Sequence, residues 1–312
     1  MKVEQILNIF PNRFRNQWEF LRNMKGTLQE IRLRADQVVI LTIDNQEYYL
    51  GQDRQLQKTP TNAYVVHREE INGIVQHICK YAPYAYENEM RQGYITIEGG
   101  HRIGLVGQVI VEDEKIRNLK YIAGLNIRIT HEILGVADEI LPYLYKDGTL
   151  CNTFILSPPC AGKTTMLRDL IRQVSNGNRY GLGMNVSVVD ERSEIAGSYL
   201  GMAQNNLGVR TDVLDGAPKV DGMMQLIRTM SPKMLAVDEI GSEEDIRAVR
   251  SVLQCGCKLV ATIHARNIEE FQMKPHFQEL IVQEVIERYV VLGNGKTPGE
   301  LVGVYNRKLC YV

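Results

Sequence analysis

The sequence predicts an α/β protein of two domains: a C-terminal domain on a parallel sheet, preceded by a smaller α+β domain. Three observations carry this. The chain is 312 residues long, and about 150 residues per domain makes two. From Cys151 onward, short apolar runs alternate with loops and amphipathic stretches, the pattern of a parallel sheet covered on both faces. Before residue 130, apolar residues alternate singly with polar ones in runs joined by turn residues, which reads as an antiparallel sheet. The expected division is 1–130, a linker over 131–150, and 151–312.

In the N-terminal part, residues 4–24 read as one or two helices, with Ile6, Leu7, Phe10, Phe14, Trp18 and Leu21 on one face and Pro11 as punctuation. Residues 28–50 change period and read as two or three strands, with Asp44-Asn45 as a turn. Ile71, Ile74, Val75 and Ile78 make 67–79 a helix. Tyr94 to Ile97 is a strand, Gly99-Gly100 a hairpin turn, 102–111 the return strand and 125–130 another. A short helix over 136–145 and a turn at Lys146-Asp147-Gly148 fill the linker.

In the C-terminal part, strands are expected at 152–156, 185–189, 234–237 and 258–262, and helices at 163–175, 220–230 and 243–254. A further apolar segment at 289–292 and a hairpin around Asn306 extend the sheet.

Charge excludes some classes of partner. Lys plus Arg is 36 and Asp plus Glu is 37, split as 18 and 19 before residue 151 and 18 of each after it. Neither half is a basic module, so no nucleic-acid partner is expected. Aromatic residues are 7% of the chain, few for base stacking; the cluster Tyr81, Tyr84, Tyr86 reads as packing. Six cysteines, at 79, 151, 160, 255, 257 and 310, are too scattered for a disulfide framework or a zinc site. Cys255 and Cys257 read as small residues near a strand start. The start lacks a basic stretch followed by an apolar run, and no apolar run reaches about 18 residues. A cytoplasmic protein without a transmembrane segment is expected.

The chemistry begins at Ser157-Pro158-Pro159-Cys160-Ala161-Gly162-Lys163-Thr164-Thr165, between an apolar strand and an amphipathic helix. This is the context of a phosphate-binding P-loop. Consecutive backbone N–H groups and a helix N-terminus form an anion nest. Lys163 then reaches the β- and γ-phosphates and the Thr164 hydroxyl holds Mg²⁺. The motif has Gly at its first position, where this chain has Ser157. The Cys160 thiol reads as a small loop residue without a redox role.

Two apolar strands end in acidic pairs, Asp190-Glu191 and Asp238-Glu239, and a third ends in Thr262-Ile263-His264. Sites on parallel sheets lie at the carboxyl ends of strands. Asp238 in the metal shell, Glu239 or Glu191 orienting the attacking water, and Thr262 with His264 at the γ-phosphate are the roles this pattern suggests.

The phosphate loop, 190–197, 210–216, 223–232, 237–241 and 261–265 together resemble the stage III sporulation protein AA family, RecA-type ATPases related to the type II and type IV secretion ATPases. Segments 30–34, 93–97, 100–104 and 125–129 also fit. The resemblance implies a RecA-like domain using ATP and Mg²⁺, in a homo-oligomeric ring, typically a hexamer. It implies a motor or assembly ATPase of the channel between mother cell and forespore, with that channel's membrane proteins as partners, peripheral at the cytoplasmic face of the mother-cell membrane. Asp190 and Glu191 match the acidic box, Asp238-Glu239 the second acidic strand end and His264 the histidine box. Arg102 and Arg128 are the candidates for completing a neighbour's site, and Arg210 and Arg228 for lying near the phosphates. The alternatives are a nucleic-acid translocase of the same class and a nucleotide-binding scaffold without turnover.

Overall fold

The structure, a computed structural model, describes residues 3–82, 86–159, 161–295 and 298–312. The chain divides into two units, Met1–His131 and Glu132–Val312.

In the first unit, single-residue alternation produces a seven-stranded antiparallel sheet. Its strands are β1 (Leu28–Arg34), β2 (Ile40–Ile43), β3 (Gln46–Leu50), β4 (Leu56–Gln57), β5 (Tyr94–Thr96), β6 (Arg102–Glu112) and β7 (Lys115–Arg128). They lie in the order β4-β3-β2-β1-β7-β6-β5. In β1, Ile31 and Leu33 are buried while Arg32 and Arg34 face solvent, the two-residue period of a sheet with one wet face. Asp44 and Asn45 both have positive φ, 48° and 62°, as a two-residue hairpin turn requires. The helix α1 (Arg68–Ile78) begins at a capping box between His67 and Glu70 and buries Ile71, Ile74, Val75 and Ile78. Residues 3–23 form two short helices and a 3₁₀ segment, closed by Phe10 stacked on Trp18 at 4.1 Å.

One strand is far longer than its sequence suggests. β7 begins at Lys115, where only 125–130 was expected. Its first part pairs with β6 through several register shifts and leaves Ile116 and Tyr121 exposed. Without one buried face, no two-residue hydrophobic signal is written into the sequence.

The second unit carries another seven-stranded sheet, in the order β10-β9-β11-β12-β8-β13-β14. The strands are β8 (Thr153–Ser157), β9 (Val186–Asp190), β10 (Thr211–Asp215), β11 (Met234–Val237), β12 (Lys258–His264), β13 (Arg288–Leu292) and β14 (Leu301–Asn306). All neighbours are parallel except β13 and β14. The helices α2 (Lys163–Asn176), α3 (Lys219–Met230) and α4 (Glu243–Gln254) cover it. Phe154 and Leu156 join one core with Phe271, Phe277 and Tyr289, and Ile155 joins the other with Leu167 and Leu170. Both faces of the central strands are therefore dry, which is why they read as unbroken apolar runs. β10 was missed because it is a half-exposed edge strand with the polar pattern Thr-Asp-Val-Leu-Asp.

Residues 132–150, expected within a linker, belong to the second unit. Ala137, Ile140, Leu141, Leu144 and Leu150 are buried in its core, and Asp169 of α2 accepts the Ala137 N–H at 2.9 Å. Among the described residues, no helix is long and apolar enough to cross a membrane.

Candidate functional site

The site grows from the carboxyl edge of the second sheet. Ser157 is the last residue of β8, fully buried. Its φ is outside the left-handed region, so the strand end holds a serine without strain. The hydroxyl donates to the Pro158 carbonyl at 2.9 Å, and the Ser157 carbonyl accepts the Ala265 N–H at 3.2 Å. Pro158 is half-buried and Pro159 exposed; Cys160 lies outside the described residues. Ala161 is buried and its carbonyl accepts the Gly299 N–H at 2.8 Å.

Gly162 turns the chain into α2 with φ of 87°, a value at which a side chain is strained. A Cβ there would also stand 2.5 Å from the Gly299 nitrogen. Lys163, Thr164 and Thr165 form the first turn of α2, half-buried, with no side-chain cap. Among the described residues no side chain caps their N–H groups, which stand at the positive end of a fourteen-residue helix.

Parallel register brings the other groups to this turn. Ser157 lies beside His264, and Val237 beside Ala261, so Asp238 follows next to Thr262. The Thr164 hydroxyl donates to Asp238 Oδ2 at 2.8 Å, and the Thr262 hydroxyl donates to Asp238 Oδ1. Thr262 Oγ1 also accepts the Glu239 N–H at 2.8 Å. Glu239 is held at φ of 58°, an uncommon conformation for a non-glycine residue and one that gathers at functional sites.

Lys163 Nζ is 2.7 Å from His264 Nε2, and Glu239 Oε1 is 3.1 Å from the same nitrogen. That nitrogen accepts from Lys163 when unprotonated or donates to Glu239 when protonated, never both. Arg192 reaches Glu239 Oε2 at 3.3 Å, and Lys219 reaches Glu191 Oε2 at 3.2 Å.

Asp190 is turned inward, 2% exposed. Its carboxylate accepts the N–H groups of Glu194 (2.8 Å), Ile195 (3.0 Å) and Ala196 (2.7 Å). The Glu194 and Ile195 carbonyls take two bonds from the Arg168 guanidinium of α2, at 2.8 and 2.9 Å. Burial pushes the Asp190 carboxyl up to about 6 against the three N–H groups, and the neighbouring Asp215 adds to the rise. Burial also lowers the Arg168 guanidinium. Asp190 thus holds the segment after β9 in place, and Arg168 ties that segment to the helix of the phosphate loop.

The structure brings together Ser157, Ala161, Gly162, Lys163, Thr164, Asp238, Glu239, Thr262 and His264. Glu191 stands one residue past the end of β9, beside Glu239 in the lining of one pocket. Arg210 and Arg228 are elsewhere. Arg210 precedes β10 at the amino edge of the sheet, bonded to the Ser175 carbonyl at 3.0 Å, and Arg228 is exposed in the last turn of α3. Arg102 and Arg128 belong to the first unit, opposite one another on β6 and β7, with Arg102 over the Tyr94 ring at 3.8 Å. Of the tyrosine cluster, Tyr81 is exposed, Tyr86 is buried and Tyr84 lies outside the described residues. Cys257 is buried just before β12 and Cys255 is exposed. Sequence reasoning missed Arg168; its signal was its place five residues after Lys163, on the helix that carries the loop.

Comparison with known proteins agrees with this architecture. The family model for sporulation stage III, protein AA matches residues 1–312. The stage III sporulation protein AA of Bacillus subtilis (strain 168) is 37% identical over 306 residues, covering 98% of this chain and 95% of that protein. The fold is similar to that of the ATPase DotB of Legionella pneumophila, with a TM-score of 0.58 at 14% identity over 90% of this chain and 76% of that one. DotB of Yersinia pseudotuberculosis gives 0.59 at 12% identity, over 96% and 81%. On the full-length family match and its Bacillus relative, the chain belongs to the sporulation stage III protein AA family, and its second unit has the α/β fold of the P-loop secretion ATPases.

Proposed function

We propose that the second unit binds ATP with Mg²⁺ and hydrolyses it. The chain works as a homo-oligomeric ring, a hexamer, that drives or assembles the channel between mother cell and forespore during endospore formation. Its partners are the membrane proteins of that channel, which hold it at the cytoplasmic face of the mother-cell membrane.

The observation that carries the enzymatic part is the convergence of the Thr164 hydroxyl on Asp238, 2.8 Å away, at the helix turn that begins with Lys163. Hydroxyl and carboxylate oxygens are the hard donors Mg²⁺ takes, with water and phosphate oxygens filling its other positions. When bound, the ion offsets phosphate charge. The loop 157–165 holds the phosphates through its backbone N–H groups, and Lys163 exchanges His264 for a phosphate oxygen. Glu239 orients the attacking water, with Glu191 as the second choice, and His264 senses the γ-phosphate. Arg102 and Arg128 complete the site of a neighbouring copy. They lie directly across a strand pair, which brings two guanidinium groups together on one face of the sheet.

Calorimetric titration of ATP with and without Mg²⁺ tests the metal assignment. Asp238→Asn should lose about tenfold in the Mg²⁺-dependent part of the affinity. An equal dependence on Mg²⁺ in both proteins would overturn it.

A further inference from the structure

The helix α2, which begins at Lys163, makes two ties to the carboxyl edge of its sheet, and both leave from one face. Thr164 and Arg168 are one helical turn apart, so their side chains stand one above the other. Thr164 reaches Asp238, just past β11. Arg168 reaches the segment past β9, the strand beside β11. Its Nε donates to the Ile195 carbonyl at 2.9 Å and its Nη2 to the Glu194 carbonyl at 2.8 Å. One planar fork thus holds two neighbouring carbonyls, a geometry that an ammonium group does not reproduce.

The fork holds the far end of a short loop. The Asp190 carboxylate accepts the N–H groups of Glu194, Ile195 and Ala196, so residues 191–193 are pinned at both ends. They project Glu191 and Arg192 into the pocket that Asp238 and Glu239 also line. There Arg192 lies 3.3 Å from Glu239 Oε2, and Glu191 lies 3.2 Å from Lys219 Nζ. Asn205 supplies a comparison. Its side-chain amide donates to the same Ile195 carbonyl at 2.9 Å, but it does not belong to α2. Asn205 fastens the segment; Arg168 fastens it to the helix that carries the phosphate loop.

We infer that Arg168 is a positioning residue for hydrolysis: it makes the placement of Glu191 and Arg192 beside Glu239 depend on the helix whose first turn takes the phosphates. The inference rests on the ATPase reading above.

Steady-state hydrolysis by the full chain, beside ATP titrations, tests it. Arg168→Lys keeps the charge and loses the fork. Its kcat should fall about tenfold or more, with KM for ATP within about twofold of wild type. Asn205→Ala removes a bond to the same carbonyl from outside the helix, and its kcat should stay within about twofold of wild type. Added to the double variant Glu191→Gln/Arg192→Ala, Arg168→Lys should cost less than about twofold more, because the side chains it places are gone. Hydrogen exchange at the Glu194, Ile195 and Ala196 N–H groups gives a readout independent of turnover: ATP should slow it in the wild type and leave it unchanged in Arg168→Lys. Wild-type kcat in Arg168→Lys, an equal loss in Asn205→Ala, a full loss in the double-variant background, or exchange indifferent to ATP in a wild type that binds it would each overturn the inference. If ATP binds and is not hydrolysed, the hydrolysis reading fails alone and the exchange measurement still decides the coupling through Arg168; if ATP does not bind, both fail.

Discussion

The Thr164 hydroxyl lies 2.8 Å from Asp238 Oδ2, although 74 residues separate them in the chain. Topology closes that gap. β12 is inserted between β8 and β11, and its Thr262 fills the space between the two strand ends with a hydroxyl that contacts Asp238 and the Glu239 backbone. One buried threonine thus fixes both acidic residues relative to the helix that starts at Lys163.

Replacing Thr262 by valine keeps the shape and removes the hydroxyl. The Glu239 N–H and one oxygen of Asp238 then lose their partner at a position that is fully buried. The expected cost is about 1–3 kcal/mol, read from the midpoint of urea unfolding, with Thr262→Ser close to wild type. An unchanged midpoint for Thr262→Val would mean that the hydroxyl carries no structural role.

Gly162→Ala should be worse than its single methyl suggests. It places a side chain at φ of 87° and brings a Cβ within 2.5 Å of the Gly299 nitrogen. Strain alone costs about 1–3 kcal/mol, and relief of the contact must move 298–299 or the loop. A lowered melting temperature and weakened ATP binding are expected. Wild-type ATP affinity in this variant would contradict the fit of loop to nucleotide.

Glu239 and Glu191 separate by substitution. Glu239 lies against His264 Nε2, and the other ring nitrogen of His264, Nδ1, is 3.1 Å from Lys163 Nζ, whereas Glu191 is held by Lys219. Glu239→Gln should lower turnover by about 10²-fold or more while ATP still binds, and Glu191→Gln should lower it less. Steady-state assays beside ATP titrations check this; equal turnover in the two variants would contradict the assignment.

Asp190 makes stability depend on pH. Its folded-state value of about 6 stands above the ordinary 3.8, so the folded protein holds the proton more tightly than the unfolded chain. The contribution of this carboxyl to stability is therefore greatest below about pH 4. It falls as pH rises from about 4 to about 6, and the full penalty of the buried charge stands above that. A ¹³C carboxyl titration should place the Asp190 midpoint near 6; a midpoint near 4 would show that the three backbone N–H groups outweigh burial.

Much of this was legible in the sequence, and the reasons are local. β8, β9, β11 and β12 announce themselves because burial on both faces demands apolar runs, and the polar residues that stop those runs line the candidate site. The start of α2 at Lys163 and the turn at Asp44-Asn45 are dictated by residue type. β10 and the first part of β7 escaped because strands that bury no full face leave no period. The inward turn of Asp190 escaped for another reason: the donors that hold it are the backbone N–H groups of Glu194, Ile195 and Ala196, and an N–H group carries no sequence mark. Residues 132–150 resembled a connection because their elements are short, yet five of their side chains complete a core.

The central claim is that the loop 157–165 serves an ATPase whose sites form between copies. Steady-state ATP hydrolysis measured over a range of protein concentrations, beside Lys163→Ala, tests it most directly. Turnover that rises more steeply than protein concentration and is lost in Lys163→Ala is the predicted result. Absence of turnover with ATP still bound, in the presence of membranes carrying the channel proteins, would contradict it and leave a nucleotide-binding scaffold.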